Sequence, residues 1–224
     1  AEGVDTVKYS SAVAGIMVNL KAGFAKSISK DAGIGKDALD TIENVIGGDH
    51  DDILIGSSQD NRLESGKGDD NVKGELGDDV LVDGLDSGDD RYNGGAGTDT
   101  VDYSAAAAGI LVNLTTGRAG SLSVDAGVGN DKLAAIENVT GSEFGDNLTG
   151  SSLGNLLNGA GGDDTLVGGL GKDTLTGGAG ADVFKFNKIV ESALGGKQDV
   201  ITDFDAANGD KLDLSAIDAR HGGA

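Results

Sequence analysis

Large apolar residues recur every nine residues between residues 141 and 185 of the chain. This stretch divides without gaps into five units, whose eighth positions are Leu148, Leu157, Leu166, Leu175 and Phe184. Each unit begins with glycine and carries Asp or Asn at its sixth position. A nine-residue unit is too small to bury its apolar side chain alone, so the units must stack and bury it against their neighbours. The pattern predicts short strands separated by glycine-rich turns.

The same period runs through residues 47–82, where the eighth positions are Leu54, Leu63, Val72 and Leu81. An eleven-residue unit at 83–93 interrupts it, and its two extra residues should bulge from the stack, which leaves the pairing of Asp90 and Asp99 open. A single offset of 94 residues aligns Tyr9 with Tyr103 and residues 42–45 with 136–139. A duplicated cassette is the simplest account of this offset.

We therefore divide the chain into a first cassette (1–98), a second cassette (99–185) and a C-terminal capping segment (186–224). Residues 1–7 align with 95–101, so the first cassette starts inside a repeat and we expect the chain to be a piece of a longer protein. In the capping segment, Val200-Ile201 and Leu212 are predicted to lie on two strands around an Asn208-Gly209 turn. The six residues added after the unit of Asp131 are predicted to make one longer coil, and a short helical turn over Leu133 to Glu137 is the alternative.

Composition narrows the functional classes. The formal net charge of −21 argues against nucleic acid and anionic membrane surfaces as partners. The absence of cysteine excludes disulfides and thiol catalysis. No apolar run approaches the roughly 18 residues of a membrane span, and no signal peptide is evident. Forty glycines with few aromatic residues fit a narrow solenoid core better than an ordinary globular one.

The turns offer metal-ligand chemistry. Glycines let backbone carbonyls crowd around one point, and the sixth-position side chain adds another oxygen. An all-oxygen ligand set suits calcium. The candidate side-chain ligands are Asp52, Asp70, Asp79, Asp99, Asp146, Asp164, Asp173, Asp182, Asn61 and Asn155, with Asp37 and Asp131 as secondary candidates. The candidate carbonyls are those of Gly66, Gly68, Gly74, Gly77, Gly94, Gly97, Gly159, Gly162, Gly168, Gly171, Gly177 and Gly180.

The last three units follow G-x-x-G-x-D-x-U-x, where U is a large apolar residue, and this resembles the calcium-binding nonapeptide of the RTX (repeats-in-toxin) proteins. The resemblance implies an all-β fold, a parallel β-roll or β-solenoid, here of two tandem cassettes and a C-terminal β cap. It also implies calcium between units n and n+2, which would pair Asp146 with Asp164, Asp164 with Asp182, and Asn155 with Asp173. Weaker or missing sites are expected where the fourth position is not glycine, at His50, Gln59, Phe144 and Leu153.

The residues after 185 resemble the capping segment of serralysin-type metalloproteases. The resemblance implies a secreted or cell-surface bacterial protein that the type I secretion machinery exports. We expect a monomeric, non-catalytic module that folds on extracellular calcium and stabilises the preceding part of its parent chain. A protease motif H-E-x-x-H is absent, and the G-x-S-x-G match at 150–154 lies inside a nonapeptide. The alternative is a calcium-dependent module that binds extracellular polysaccharide or a cell surface.

Overall fold

The computed structural model describes residues 3–29, 33–84, 88–123, 127–192, 196 and 198–217. These residues form strands of two to six residues and no helix. No helix long and apolar enough to span a membrane occurs in these ranges. The strands are β1 (Thr6–Lys8), β2 (Ile16–Asn19), β3 (Phe24–Ser27), β4 (Lys36–Ala38), β5 (Asn44–Ile46), β6 (Ile53–Ser57), β7 (Arg62–Glu64), β8 (Asn71–Leu76), β9 (Val80–Val82), β10 (Arg91–Ala96), β11 (Thr100–Asp102), β12 (Ile110–Asn113), β13 (Arg118–Ser121), β14 (Asn130–Ala134), β15 (Asn138–Thr140), β16 (Asn147–Thr149), β17 (Leu156–Asn158), β18 (Thr165–Val167), β19 (Thr174–Thr176), β20 (Val183–Lys185), β21 (Val200–Ile201) and β22 (Lys211–Asp213).

Successive nonapeptides place their strands alternately in two sheets. The first sheet has nine parallel strands in the order β1-β5-β7-β9-β11-β15-β17-β19-β21. The second has thirteen, in the order β22-β20-β18-β16-β12-β13-β14-β10-β8-β6-β2-β3-β4. Units n and n+2 are therefore neighbours within one sheet. The predicted all-β parallel roll is confirmed.

The eighth position of each unit faces the space between the sheets. Leu148 pairs with Leu166 and Leu166 with Phe184 in one sheet, while Leu157 pairs with Leu175 in the other. Each of these side chains is at most 1% exposed. Complete burial of a leucine contributes about 1.5–3 kcal/mol, so these two aligned rows form the apolar core of the stack.

Each cassette also contains an antiparallel three-stranded meander within the second sheet. Strands β2, β3 and β4 form it in the first cassette, and β12, β13 and β14 form it in the second. Gly23 (φ +70°) and Gly117 (φ +64°) lie in equivalent turns, where a left-handed residue is required. The helical turn considered for Leu133 to Glu137 is absent, because β14 continues to Ala134 and Ala135 then takes φ +49°.

The two cassettes share both sheets. Strand β9 of the first cassette pairs with β11 of the second, and β10 pairs with β14. Every inner side chain at this junction is covered on both sides, as Val101 at 0% exposure illustrates. The boundary at 98 and 99 thus falls within a continuous stack, and the three-part division remains a prediction from the sequence repeat.

The C-terminal segment adds one more strand to each sheet. Strand β21 pairs in parallel with β19, and β22 pairs in parallel with β20. A hairpin around Asn208-Gly209 is therefore wrong, since β21 and β22 lie in different sheets. The open parallel edges of β19 and β20 each gain hydrogen bonds this way, and Phe204 packs 6.1 Å from Phe184 between ring centroids. These residues cover the end of the roll.

Candidate metal centre

The sixth-position side chains form a hydrogen-bonded ladder along each row of turns. The backbone N–H of Asp146 donates to Asp164 Oδ1 at 2.7 Å, and that of Asp164 donates to Asp182 Oδ1 at 3.0 Å. On the other row Asn155 N–H donates to Asp173 Oδ1 at 2.9 Å. The equivalent bonds in the first cassette run from Asp52 to Asp70 and from Asn61 to Asp79. The structure thus brings together the pairs n and n+2 that the resemblance implied.

The eleven-residue unit does not interrupt these ladders. Asp70 N–H donates to Asp90 Oδ1 at 2.7 Å, and Asp79 N–H donates to Asp99 Oδ1 at 2.8 Å. Asp90 N–H then reaches Asp131 Oδ1 at 3.0 Å, which places Asp131 on the ladder as well. The open pairing of Asp90 and Asp99 is thereby resolved, with an offset of 20 residues instead of 18. Asp37, the counterpart of Asp131, is exposed on β4 and accepts the Tyr9 hydroxyl at 3.0 Å.

Sixth-position residues in the first two units of each cassette have both polar atoms hydrogen-bonded. Asp146 Oδ1 accepts the N–H of Ile110, and its Oδ2 accepts the N–H of Ser142 at 2.6 Å. Asn155 accepts the N–H of Ser151 through Oδ1 and donates its amide to the Glu137 carbonyl. Equivalent contacts hold Asp52 and Asn61. We call these four residues the closed class.

Five carboxylates further along the ladders differ in their second oxygen. The Oδ2 atoms of Asp79, Asp99, Asp164, Asp173 and Asp199 are buried and accept no hydrogen bond from any described residue. A buried polar atom left without a partner costs about 1–3 kcal/mol, and more when it is charged. Such an atom requires a proton or a cation. We call these five residues the open class.

First-position glycines let the sixth-position carboxylates pack directly against the backbone. A Cβ on Gly74 would lie 2.0 Å from Asp79 Oδ2, and a Cβ on Gly159 would lie 2.0 Å from Asp164 Oδ2. Gly94, Gly168 and Gly177 bear the same relation to Asp99, Asp173 and Asp182. In the units of the regular repeat that have glycine at the fourth position, that glycine has positive φ, as does second-position Gly66; these fourth-position residues are Gly68, Gly77, Gly97, Gly162, Gly171 and Gly180. Unpartnered buried oxygens beside a glycine backbone fit the oxygen ligand set of calcium.

The turns of the closed class have a different backbone. Their fourth positions, His50, Gln59, Phe144 and Leu153, do not adopt the left-handed conformation. In these turns the second-position N–H points at the sixth-position side chain. In the closed class a backbone N–H of the turn therefore provides the hydrogen bond that Oδ2 of the open class does not receive from any described residue.

Burial raises the pKa of most ladder carboxyls. It raises the pKa of Asp164 to about 8 and that of Asp131 to about 7. Burial likewise raises the pKa values of Asp79 and Asp173 to about 6, and neighbouring carboxylates such as Asp99 and Asp199 add to the rise. Removal of the carboxylates from water disfavours their charged form. A bound cation would reverse this effect, because it favours the charged form.

The capping segment supplies two ladder residues that the sequence analysis missed. Asp173 N–H donates to Asp199 Oδ1 at 2.9 Å, and Asp182 N–H donates to Asp210 Oδ1 at 3.0 Å. The nonapeptide spacing ends at residue 185, so a search by period does not reach them. The order Asp-x-U nevertheless recurs in Asp199-Val200-Ile201 and in Asp210-Lys211-Leu212. That short pattern is the signal that could have found them.

A buried group of carboxyls extends from one ladder into the core. Ligand atoms of Asp83, Asp90 and Asp131 lie within 4.8 Å of one another. The Tyr92 hydroxyl donates to Asp83 Oδ1 at 2.9 Å, and the Tyr103 hydroxyl donates to Asp131 Oδ2 at 2.8 Å. Burial raises the pKa of Asp83 well above its ordinary value. Asp83 replaces the usual first-position glycine and was not a candidate from the sequence.

Two sheets of mainly parallel strands, with buried carboxylates aligned along glycine-rich turns, define the chain as a calcium-binding β-roll. The chain belongs to the peptidase M10 serralysin C-terminal family, whose model matches residues 91–223. The model of the RTX calcium-binding nonapeptide repeat, in four copies, matches residues 46–81. No curated protein sequence matches the chain.

These matches confirm the predicted RTX relationship and calcium as the metal of the repeats. Both matched regions are non-catalytic modules of serralysin-like proteins, and such modules are typical of type I-secreted extracellular proteins.

Proposed function

We propose that this chain is a module whose folding depends on calcium and which stabilises a type I-secreted parent protein after export. The open class of buried carboxylates carries the proposal. Their Oδ2 atoms find no hydrogen-bond donor among the described residues, and four of the five lie against the backbone of a first-position glycine. In a folded state without calcium each would be an unsatisfied buried charge or would hold a proton.

The proposed ligands are the open class, Asp79, Asp99, Asp164, Asp173 and Asp199, together with Asp70 and Asp182 of the same ladders and the carbonyls of the turn glycines. Asp131 is not among them, because its Oδ1 accepts the Asp90 N–H and its Oδ2 accepts the Tyr103 hydroxyl. Calcium accepts six to eight such oxygens and neutralises their charge. Asp52, Asp146, Asn61 and Asn155 would instead begin the ladders, because their polar atoms already have protein partners. Asp37 lies at an exposed end and has no carboxylate from a preceding unit beside it in the described structure.

The coupling to export follows from energetics. Without calcium the negative charges repel one another along a backbone with 40 glycines, whose ordering is entropically costly. One site at tenfold its dissociation constant adds about 1.4 kcal/mol to stability, so several sites together decide whether the chain folds. Extracellular calcium modules bind at about 10⁻⁴–10⁻³ M, far above cytosolic calcium. The chain would pass unfolded through the secretion machinery and fold outside the cell.

The polysaccharide-binding alternative requires aromatic side chains on the surface. Tyr9, Tyr92 and Tyr103 are 6%, 1% and 0% exposed and hydrogen-bond to carboxylates within the roll. They cannot stack on a sugar from these positions. The exposed aromatic side chains among the described residues are Phe144 and Phe204, at 46% each, and a glycan array in calcium tests this alternative.

A calcium titration monitored by far-UV circular dichroism tests the proposal, with magnesium as the control. We expect a cooperative gain of β signal near millimolar calcium and none with magnesium. Magnesium requires a tighter octahedron and gives up water reluctantly, so it should not replace calcium. A fully folded spectrum in excess chelator would refute the proposal and would make the repeats a permanent structural spacer.

A further inference from the structure

Basic side chains lie in register on three neighbouring strands of the second sheet. Arg91 of β10 pairs directly with Lys132 of β14, and Lys132 pairs directly with Arg118 of β13. All three side chains are exposed on the outer face of the sheet, because the residues that alternate with them along each strand are buried. We call these three residues the cation row.

The duplicated fold does not require the cation row. Like charges directly opposite one another on paired strands are destabilising. None of the three cations forms an ion pair with a described residue. In the first cassette, Phe24 and Ala38 pair at the positions equivalent to Arg118 and Lys132. The cation row therefore has a cost in stability that the packing of its own chain does not explain.

A row of exposed carboxylates borders the same outer face, in the turns before β6, β8 and β10. Asp69 N–H donates to Asp51 Oδ1, and Asp89 N–H donates to Asp69 Oδ1, each at 3.0 Å. Each carboxylate lies two residues before an outward-facing strand residue, and side chains two apart on a strand share a face. Hydrogen bonds from Asn130 and, after them, two members of the cation row lower the pKa of Asp89. We call these three residues the carboxylate row.

The two rows match in number, spacing and order. Both repeat once per strand, at the distance of about 4.8 Å between neighbouring strands. In the sheet order β13-β14-β10-β8-β6, the cations lie on the first three strands and the carboxylates precede the last three. A half-turn about an axis along β10 exchanges these two sets of strands. A twofold dimer requires this kind of self-complementary surface, because the same patch serves both subunits.

We propose that this face is the contact surface of a homodimer, in which the cation row of each copy lies on the carboxylate row of the other. The half-turn about β10 pairs the rows strand by strand and sets Arg118 against Asp51 of the second copy at both outer positions. It also places β13 over β6 of that copy, where Ile53 is half-buried and points outward at the level of Arg118. Arginine buries its aliphatic stem on apolar surface of this kind. The homodimer replaces the monomer expected from the sequence.

A second copy of the chain fits this face better than a separate polyanion does. A polyanion would pair with the cation row and leave the carboxylate row unmatched, whereas a second copy satisfies both rows. The net charge of −21 opposes association mainly at long range. At about 0.15 M salt, interactions between exposed charges more than roughly 8 Å apart are largely screened, while contacts between the rows are shorter. Calcium bound to the inner ladders would also neutralise part of the charge.

Sedimentation equilibrium in saturating calcium, over a range of protein concentrations, tests the proposal. We expect a concentration-dependent dimer at about 0.15 M salt that weakens at about 1 M, where the screening length falls to roughly 3 Å. Arg118→Glu and Asp51→Lys should each raise the dimer Kd by about tenfold or more, because two contacts per dimer become repulsive. The double variant should restore dimerisation, since the reversed pair attracts again.

Asp60→Lys is the matched control for Asp51→Lys. Asp60 is also an exposed turn residue, and its Oδ1 accepts the N–H of Asp78 as Asp51 Oδ1 accepts that of Asp69. It precedes β7, which belongs to the first sheet, so it lies away from the proposed contact. Asp60→Lys should therefore leave the dimer Kd unchanged.

A chain that is monomeric at every concentration would overturn the proposal, as would a dimer that Arg118→Glu and Asp51→Lys leave intact. A double variant that dimerises no better than the single variants would also overturn it. A monomer that binds poly-L-glutamate through Arg118 would assign the cation row to another polyanion and overturn it equally. Circular dichroism of the same samples follows the calcium-dependent fold separately. Failure of that proposal would appear as a β signal that calcium does not change, and not as loss of the dimer.

Discussion

Asp146 donates its backbone N–H to Asp164 Oδ1, yet the two carboxylates differ in what reaches Oδ2. Asp146 Oδ2 accepts the N–H of Ser142, whereas Asp164 Oδ2 is buried and no described residue donates to it. Both residues hold the sixth position of a nonapeptide and lie on one ladder. The ladder therefore begins on a carboxylate that the protein satisfies and continues with carboxylates that it leaves open.

Replacement of these two residues by asparagine should separate their roles. Asp164→Asn removes an anionic oxygen from the open class, and we expect it to lower the number of bound calcium ions by at least one. It should also raise the calcium concentration at the folding midpoint several-fold. Isothermal titration calorimetry gives the stoichiometry, and circular dichroism gives the midpoint.

Asp146→Asn is the matched control, since it removes the same charge from the same ladder. It should keep the calcium stoichiometry of the unmodified chain. Its cost should be in stability, at about 1–3 kcal/mol, because the Ser142 N–H would lose a charged acceptor. Loss of an ion in Asp146→Asn, or an unchanged stoichiometry in Asp164→Asn, would contradict the division into closed and open classes.

Asp199→Asn tests whether the capping segment completes a calcium site. The Oδ1 atom of asparagine can still accept the Asp173 N–H, so the ladder bond is retained while one anionic oxygen is removed. We expect one fewer calcium ion, and a lower melting temperature in calcium but not in chelator. Asp40→Asn, at an exposed position, serves as the charge control. Identical calcium binding by both variants would remove Asp199 from the ligand set.

The sequence predicted the parts of the fold that depend on period alone. A spacing of nine places Leu148, Leu166 and Phe184 in one row, and it brings each carboxylate to the one two units on. The expectation of weaker sites where the fourth position is not glycine names the same four turns as the closed class. The sequence does not show the cause, which is that the second-position N–H of each of these turns points at the sixth-position side chain. Asp199 was missed since its offset of 26 residues from Asp173 follows no repeat; its Asp-x-U pattern marks it as a candidate, and the hydrogen bond identifies Asp173 as its partner.

The raised pKa values predict that the calcium-free chain gains order in acid. Asp164, Asp131 and Asp79 have folded pKa values of about 8, 7 and 6, against about 3.9 for an unfolded aspartate. Between pH 4 and 8 the folded state therefore binds more protons than the unfolded state, and its stability falls as pH rises. In calcium-stripped buffer the β signal should increase as pH is lowered from 8 to 5.

The calcium-bound chain should depend far less on pH in the same range, because its ligands are deprotonated in both the folded and the unfolded states. Circular dichroism of both forms at several pH values provides the comparison. Asp164→Asn should weaken the acid effect in the calcium-free form, since it removes the carboxyl with the highest of these pKa values. A calcium-free signal that is constant or rises from pH 5 to 8 would show that the buried carboxyls do not control folding.

Ala160 provides a test of the turn backbone that leaves every proposed ligand side chain in place. It holds a second position where Gly66, Gly169 and Gly178 have φ near +98°, and its own φ is +72°. A left-handed alanine costs about 1–2 kcal/mol, while glycine loses about 0.4–1 kcal/mol through the greater entropy of the unfolded chain. Ala160→Gly should therefore raise the free energy of unfolding in calcium by about 0.5–1 kcal/mol.

Ala179→Gly is the control, and we expect it to change the free energy of unfolding in the opposite direction. Ala179 is exposed in an equivalent turn but is not among the described residues with positive φ, so glycine should lower stability there by about 0.5–1 kcal/mol. Urea unfolding in saturating calcium measures both variants. Destabilisation by both substitutions would mean that the left-handed turn at Ala160 carries no strain, and that glycine at the second position serves the approach of neighbouring carbonyls instead.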